Sequence, residues 1–433
     1  MSKIDLGKDK ILPTLLKLAL PSMIGQIVNM LYNLIDRIYV GNIQNGTQAL
    51  AGLGVCFPIT LILSSFASLV GLGGTPLSSI KLGENKKDEA NKIFNQSFIF
   101  LIIIGFLLTI ITFIFAKDIL SLFGCPSDSL DYGTSYLKIY CIGTIFTLLT
   151  LGLNPFINAQ GYSTIGMFSV AIGAVANLLL DPFFIFVLGF GVRGAAIATV
   201  ISQCLSASFV LFFLTKKAEL KVRFLKKHEF SESIGYAKNI ISLGTAGFIM
   251  QLTNSLVSIV CNNVLSVTGG DIYISVMTII SSVRQLVETP IYAMNEGGSP
   301  ILSYNYGARR PARVRKAMIV IGSMILCYTA VMWSVIILAP GALIRVFSSD
   351  AALVKDSIPA LNQYFAAFIF MDLQYIGQTV FKSLNKKKHA IFFSLLRKVF
   401  IVIPLTYFMP YVLHMGTSGV FLAEPVSNVI GGS

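Results

Sequence analysis

Asp36 and Asp181 are carboxylates set inside hydrophobic runs, "VNMLYNLIDRIYVGN" at 28–42 and "NLLLDPFFIF" at 177–186. A charged side chain near the centre of a bilayer costs about 2.5–3.5 kcal/mol even on the lenient insertion scale, so such residues read first as functional groups. Asn177 precedes Asp181 by one helical turn and shares its face. Thr199 adds a hydroxyl, and Pro182 has no N–H to offer the carbonyl of Leu178. Two carboxylates, an amide, a hydroxyl and a bare carbonyl suit Na+. They equally suit a proton shared between two buried carboxylates. The competing reading of Asp36 and its neighbour Arg37 is that both snorkel to a membrane interface.

Helices across a membrane must position these groups. The chain has 433 residues, 55% of them hydrophobic and only 12% charged. Apolar stretches of about 20 residues recur along its length, as in a polytopic helical membrane protein. Spans are predicted at 15–40, 51–80, 93–116, 135–157, 166–189, 194–215, 239–265, 272–305, 316–339, 358–383, 391–412 and from 419 onward. At 1.5 Å per residue, Asp36 lies about 31 Å along the first helix and Asp181 about 22 Å along the fifth, which runs the same way. Thr199 lies about 8 Å into the sixth, from the opposite side. All three therefore fall in the outer half of the membrane.

Lys and Arg number 26 at the N-terminus and after the second, sixth, eighth and tenth spans, against five on the opposite side. This bias predicts a cell membrane protein with both termini cytoplasmic. It also explains the net charge of +13 without nucleic acid. The count places only Arg37 and Arg284 within spans and puts Arg397 and Lys398 among the cytoplasmic basic residues.

The chain repeats itself. "GGTPLSSIKLG" at 73–83 returns as "GGSPILSYNYG" at 297–307, an offset of 224, and "GVRGAAIATVISQ" at 191–203 returns as "GTSGVFLAEPVSN" at 416–428, an offset of 225. The expected architecture is all-α: twelve transmembrane helices in two pseudo-symmetric six-helix bundles around a central cavity. Lobes at 1–215 and 239–433 would flank a cytoplasmic linker at 216–238. The offset would carry the last helix to about residue 440, which suggests a truncated end.

"LALPSMIGQIVNMLYNLIDRIYVG" at 18–41, "ALAGLGVCFPI" at 49–59, "NLLLDPFFIF", "GAAIATVISQ" at 194–203 and "SPILSYNYGAR" at 299–309 together resemble the MATE (multidrug and toxic compound extrusion) transporters. The resemblance covers nearly the whole chain. It implies secondary antiport, in which amphipathic and mostly cationic drugs or toxic compounds leave as Na+ or H+ enters. The implied coupling group is Asp36, Asn177, Asp181 and Thr199, and the implied partners are small molecules and the lipid bilayer. No cofactor is implied, and a monomer is expected.

Other residues remain open at this stage. Gln26, Asn33, Asn154 and Asn158 would line the first-half cavity or form interhelical hydrogen bonds. Glu288 would enter the substrate cavity or pair with Arg284 one turn earlier. Asp372, which matches an acidic position of another MATE branch, would face cationic substrate. Pro21 would be a hinge in the first helix, since proline is a common cause of sharp kinks. Glu296 and Glu424 read as structural. An ATP-driven pump lacks its phosphate loop here, and an intramembrane enzyme lacks a catalytic constellation. The serious rival is a flippase of related fold for lipid-linked oligosaccharides or peptidoglycan precursors. Such proteins grip pyrophosphate with several cavity arginines, and only Arg284 is placed well inside a span.

Overall fold

A computed structural model describes residues 4–41, 43, 46–223, 227–346 and 351–432. Within these stretches the side chains of residues 33–34, 37–38, 41, 46–47, 51, 227–234, 271, 351–352 and 432 lie outside the description. That includes those of Asn33 and Arg37.

The fold is all-α, with twelve transmembrane helices in two bundles. The first bundle contains α1 (Ile11–Gly41), α2 (Gly46–Gly83), α3 (Lys87–Ile114), the short α4 (Ala116–Leu122), α5 (Ser127–Ile142), α6 (Thr144–Ala159), α7 (Ser163–Pro182) and α8 (Gly191–Lys216). The second contains α9 (Lys227–Gly269), α10 (Asp271–Gly307), α11 (Pro311–Leu338), the short α12 (Pro340–Arg345), α13 (Ala351–Tyr364), α14 (Phe368–Ser383), α15 (Lys387–Leu395), α16 (Ile403–Tyr407) and α17 (Gly416–Gly432). Among the described residues, eight helices are long and apolar enough to span a membrane alone. The others carry polar groups or breaks that neighbouring helices must satisfy. Apolar side chains such as Phe106, Leu179, Ile319 and Phe400 are exposed on the outer surface, where lipid would meet them.

Four predicted spans are not single regular helices. The fourth divides into α5 and α6, bent by 55°. The tenth divides into α13 and α14. The eleventh is interrupted by wide π-helical turns at Leu396–Val402 and Phe408–Val412, and the fifth ends in another at Phe183–Val187. Hydrophobicity marks where a span lies but does not report such breaks, because a bent helix remains equally apolar.

The repeat is written in the backbone as well as in the sequence. Asn85 and Arg309 both have positive φ, at 61° and 54°, and stand 224 residues apart. Gly161 and Asn385 form a second such pair at the same offset, and Gly191 and Gly416 a third at 225. Positive φ is uncommon outside glycine. Finding it at matched positions shows that both halves turn between helices in the same way.

The halves exchange packing at the end that carries the basic loops. Leu15 and Leu18 of α1 belong to the hydrophobic core of the second half, together with Ile280 and Ile301 of α10. Ile240 and Leu243 of α9 belong to the first-half core with Val70 and Phe156. Here α2 and α9 touch backbone to backbone. A Cβ on Gly244 would stand 1.6 Å from the Leu69 carbonyl oxygen, and one on Gly73 would stand 2.1 Å from that of Ile240. Gln251 adds a hydrogen bond to Ser68 at 2.7 Å. The lobes are thus sealed at the basic end, and the space between them lies at the other.

Candidate functional site

Two adjoining cavities occupy that space. The larger, about 720 Å³, is lined by Tyr32, Asp36, Cys56, Tyr136, Tyr140 and Thr199 on the first-bundle side. The smaller, about 410 Å³, reaches into the second bundle and is lined by Arg284, Glu288, Tyr364, Lys398 and Glu424, among others. Ser258, Met277, Ser281 and Gln285 line both.

Asp36, Asn177, Asp181 and Thr199 come together in the first bundle. Asn177 Nδ2 donates to Asp181 Oδ1 at 3.1 Å and lies 3.4 Å from Thr199 Oγ1. The Thr199 hydroxyl donates to the Ala195 carbonyl at 2.9 Å, one turn back along α8. Asp181 is fully buried, Asn177 and Thr199 nearly so, and Asp36 is half-buried at the cavity wall. Asp36 lies close enough to Asp181 for the two carboxyl groups to interact. The backbone brings these groups together through Gly194. A Cβ there would lie 2.6 Å from the Phe184 carbonyl oxygen, so α8 starts hard against the wide turn that follows Pro182.

Ionised carboxylates only accept hydrogen bonds. Two of them this close, one of them buried, therefore call for a proton or a small cation between them. Asp181 Oδ2 is buried and meets no donor among the described residues. The arrangement can hold either ion, with Asn177 and Thr199 supplying neutral oxygens.

The other expected cavity residues fall differently. Gln26 lines the smaller cavity and donates to Glu296 Oε2 at 3.3 Å. Glu288 lines it too, held by Arg284 Nε at 2.6 Å. Asn158 is instead an interhelical tie: it donates to Glu296 Oε1 at 2.8 Å and lies 3.4 Å from Ser22 Oγ. Asn154 accepts from Ser169 Oγ at 3.2 Å, joining α6 to α7, and lines neither cavity. Asp372 is fully enclosed beside Thr329 and also lines neither, because its face of α14 packs inward against the bundle. Asn33 falls among the side chains outside the description.

Arg397 and Lys398 were missed. They are almost completely buried in the second bundle rather than displayed among the cytoplasmic basic residues. Charge counting along a sequence assigns a basic residue near a helix start to the adjacent loop. The signal that could have found them is Glu424, a carboxylate within an apolar run that needs a partner.

Pro21 lies inside α1, which continues through it from Ile11 to Gly41. Proline cannot donate to the carbonyl four residues before it. That carbonyl, of Lys17, accepts instead from Ser163 Oγ at 3.2 Å.

Comparisons with known proteins agree with this architecture. The sequence profile of the MatE family matches twice, at residues 21–183 and 247–408, once in each half. A "Multidrug export protein MepA" of Staphylococcus haemolyticus is 26% identical over 80% of this chain and 76% of its own length. An "FAD transporter" of Shewanella oneidensis is 24% identical over 96% of this chain and 92% of its own. A solved structure, described as the outward-facing conformation of a multidrug resistance MATE family transporter, superposes with a TM-score of 0.91 at 22% identity, covering 99% of this chain and 94% of that one. With both halves matched by one family profile and the fold shared throughout, the chain belongs to the MATE family of membrane transporters.

Proposed function

We propose that the protein exports amphipathic, mostly cationic organic compounds from the cytoplasm in exchange for Na+ or H+. The exchanged ion binds at Asp36, Asn177, Asp181 and Thr199. The observation that carries this reading is the closeness of two carboxylates at the wall of a cavity large enough for a small drug. One of them is fully buried with an oxygen that meets no donor among the described residues. Charge neutralisation there alters α1 around Pro21, which changes the first-half cavity and expels cargo. A coupling ion shifts the balance of states only by its difference in affinity between them.

In this reading the lobes span 1–215 and 239–433, joined by 216–238. The protein is a monomer in the cell membrane, with both termini and the sealed basic end cytoplasmic. The cavities then face outward. Gln26, Asn33 and Glu288 contribute to cargo binding.

The test is efflux of a fluorescent cation from loaded proteoliposomes under an imposed Na+ or pH gradient. Efflux driven by one gradient and stopped by the matching ionophore supports antiport and names the ion. Efflux indifferent to both gradients, or transport of a lipid-linked pyrophosphate instead, overturns it.

A further inference from the structure

The smaller cavity contains a charge arrangement that export of cations does not use. Three cationic groups converge on one oxygen, Glu424 Oε1: Lys398 Nζ at 2.8 Å, Arg397 Nη2 at 3.4 Å and Arg284 Nη1 at 3.6 Å. Glu288 engages Arg284 Nε at 2.6 Å and accepts from Tyr292 OH at 3.2 Å. Arg397 also donates to Asn428 and stacks near Tyr375. Three cations thus face two carboxylates. Asp372, the nearby acidic side chain, forms no ion pair with any of the three among the described residues.

Ion pairs buried for structural reasons must be balanced, because an uncompensated charge out of water costs several kcal/mol. With every side chain in its ordinary ionised form, this cluster carries one positive charge in excess among the described residues. Its donors are also not used up. Lys398 has three N–H groups and gives one to Glu424, while Arg397 Nε is buried without an acceptor among the described residues.

Local backbone geometry produces the cluster. In a regular α-helix neighbouring side chains diverge by about 100°. Here the wide π-helical turn Leu396–Val402 lets Arg397 and Lys398 both reach Glu424. Wide turns of this kind frequently mark functional sites.

We propose that the smaller cavity receives the acidic group, a carboxylate or phosphate, of an amphiphilic ligand, held by Lys398 and Arg284. The adjoining cavity presents Asp36 on its opposite side. Together the two form an acidic and a basic end for one zwitterionic molecule. The proposal rests on the export reading for the ligand's status as cargo, but the site itself is tested by binding.

The test uses purified protein in phosphatidylcholine nanodiscs and two dyes sharing one xanthene core: rhodamine 19, with a free carboxylate, and its ethyl ester, rhodamine 6G. Fluorescence anisotropy should show the acid bound about tenfold tighter than the ester, the discrimination one charged hydrogen bond supplies. Lys398→Gln should remove most of that preference, read as the ratio of acid to ester affinity. The double variant Lys398→Gln with Glu424→Gln restores the excess charge and should restore the preference. An acid-to-ester ratio unchanged by Lys398→Gln overturns the proposal. So does a wild-type protein that binds the ester at least as tightly, a result independent of how any variant folds.

Replacing a third of the lipid with phosphatidylglycerol separates two sources of the acidic group. Competition that Lys398→Gln abolishes assigns a lipid phosphate, and its absence assigns a dissolved acid; either upholds the site. Failure of both dyes to be transported would overturn the export reading while leaving the binding ratio intact.

Discussion

The hydroxyl of Ser163 donates to the carbonyl of Lys17, the acceptor in α1 that Pro21 leaves without its ordinary donor. The bond runs from the start of α7 to the first third of α1. It ties a proline-weakened helix to the helix that carries Asn177 and Asp181. A hinge whose freed carbonyl is satisfied in one arrangement is biased toward that arrangement.

Ser163→Ala should therefore cost about 0.6 kcal/mol, the mean for an interhelical hydrogen bond in a membrane. It should also loosen α1 around Pro21. Thermal unfolding in detergent measures the first effect, and spin-label distances between α1 and α7 measure the second. A distance distribution identical to wild type would show that Ser163 does not bias the hinge.

Asp181→Asn should bring gradient-driven efflux to background while the protein still folds. The amide is isosteric and relieves the closeness of two acceptors, but it cannot take up and release a proton and it binds Na+ more weakly. Asp36→Asn should behave alike. Dye efflux by well-expressed variants decides the matter, and wild-type rates in both would return Asp36 to the interfacial reading.

Gly244→Ala should open the sealed end. The added Cβ would lie 1.6 Å from the Leu69 carbonyl oxygen, a backbone atom with no side chain to swing away. Helices α2 and α9 must separate, and the lobes should shift away from the arrangement described here. Increased modification of a cysteine introduced beside the seam would register this. Unchanged protection would mean that the seam is not maintained by close helix contact.

Glu296→Gln should weaken the tie between lobes. Glu296 on α10 accepts from Asn158 on α6 and Gln26 on α1, and charge-assisted bonds are roughly twice as strong as neutral ones. A loss of about 1 kcal/mol would change the ratio of lobe arrangements roughly fivefold. Interlobe distance distributions read this directly, and the variant should differ most from wild type without a bound ion.

Much of the protein follows from its order of residues alone. Apolar run length dictates where spans lie, because lipid leaves the backbone no partner but itself. The two recurring segments dictate a two-fold architecture, and the matched positive-φ turns at Asn85 and Arg309 repeat it in the backbone. The meeting of Asp36, Asp181 and Thr199 was legible because their depths along separate helices coincide, and that of Asn177 because it stands one turn from Asp181.

Which way a helix face points was decided only in three dimensions. Asn154, Asn158 and Asp372 have the same polar character as cavity residues, yet bundle rotation turns them into helix contacts. The bend of 55° between α5 and α6 leaves no hydrophobic signature. Arg397 and Lys398 read as loop charges because charge counting assigns basic residues near a helix start to the adjacent loop. A π-helical turn and a buried carboxylate 26 residues beyond Lys398 draw them inside instead. Position along a helix is a local property of the chain. Partnership across helices is not, because it depends on how every other helix packs.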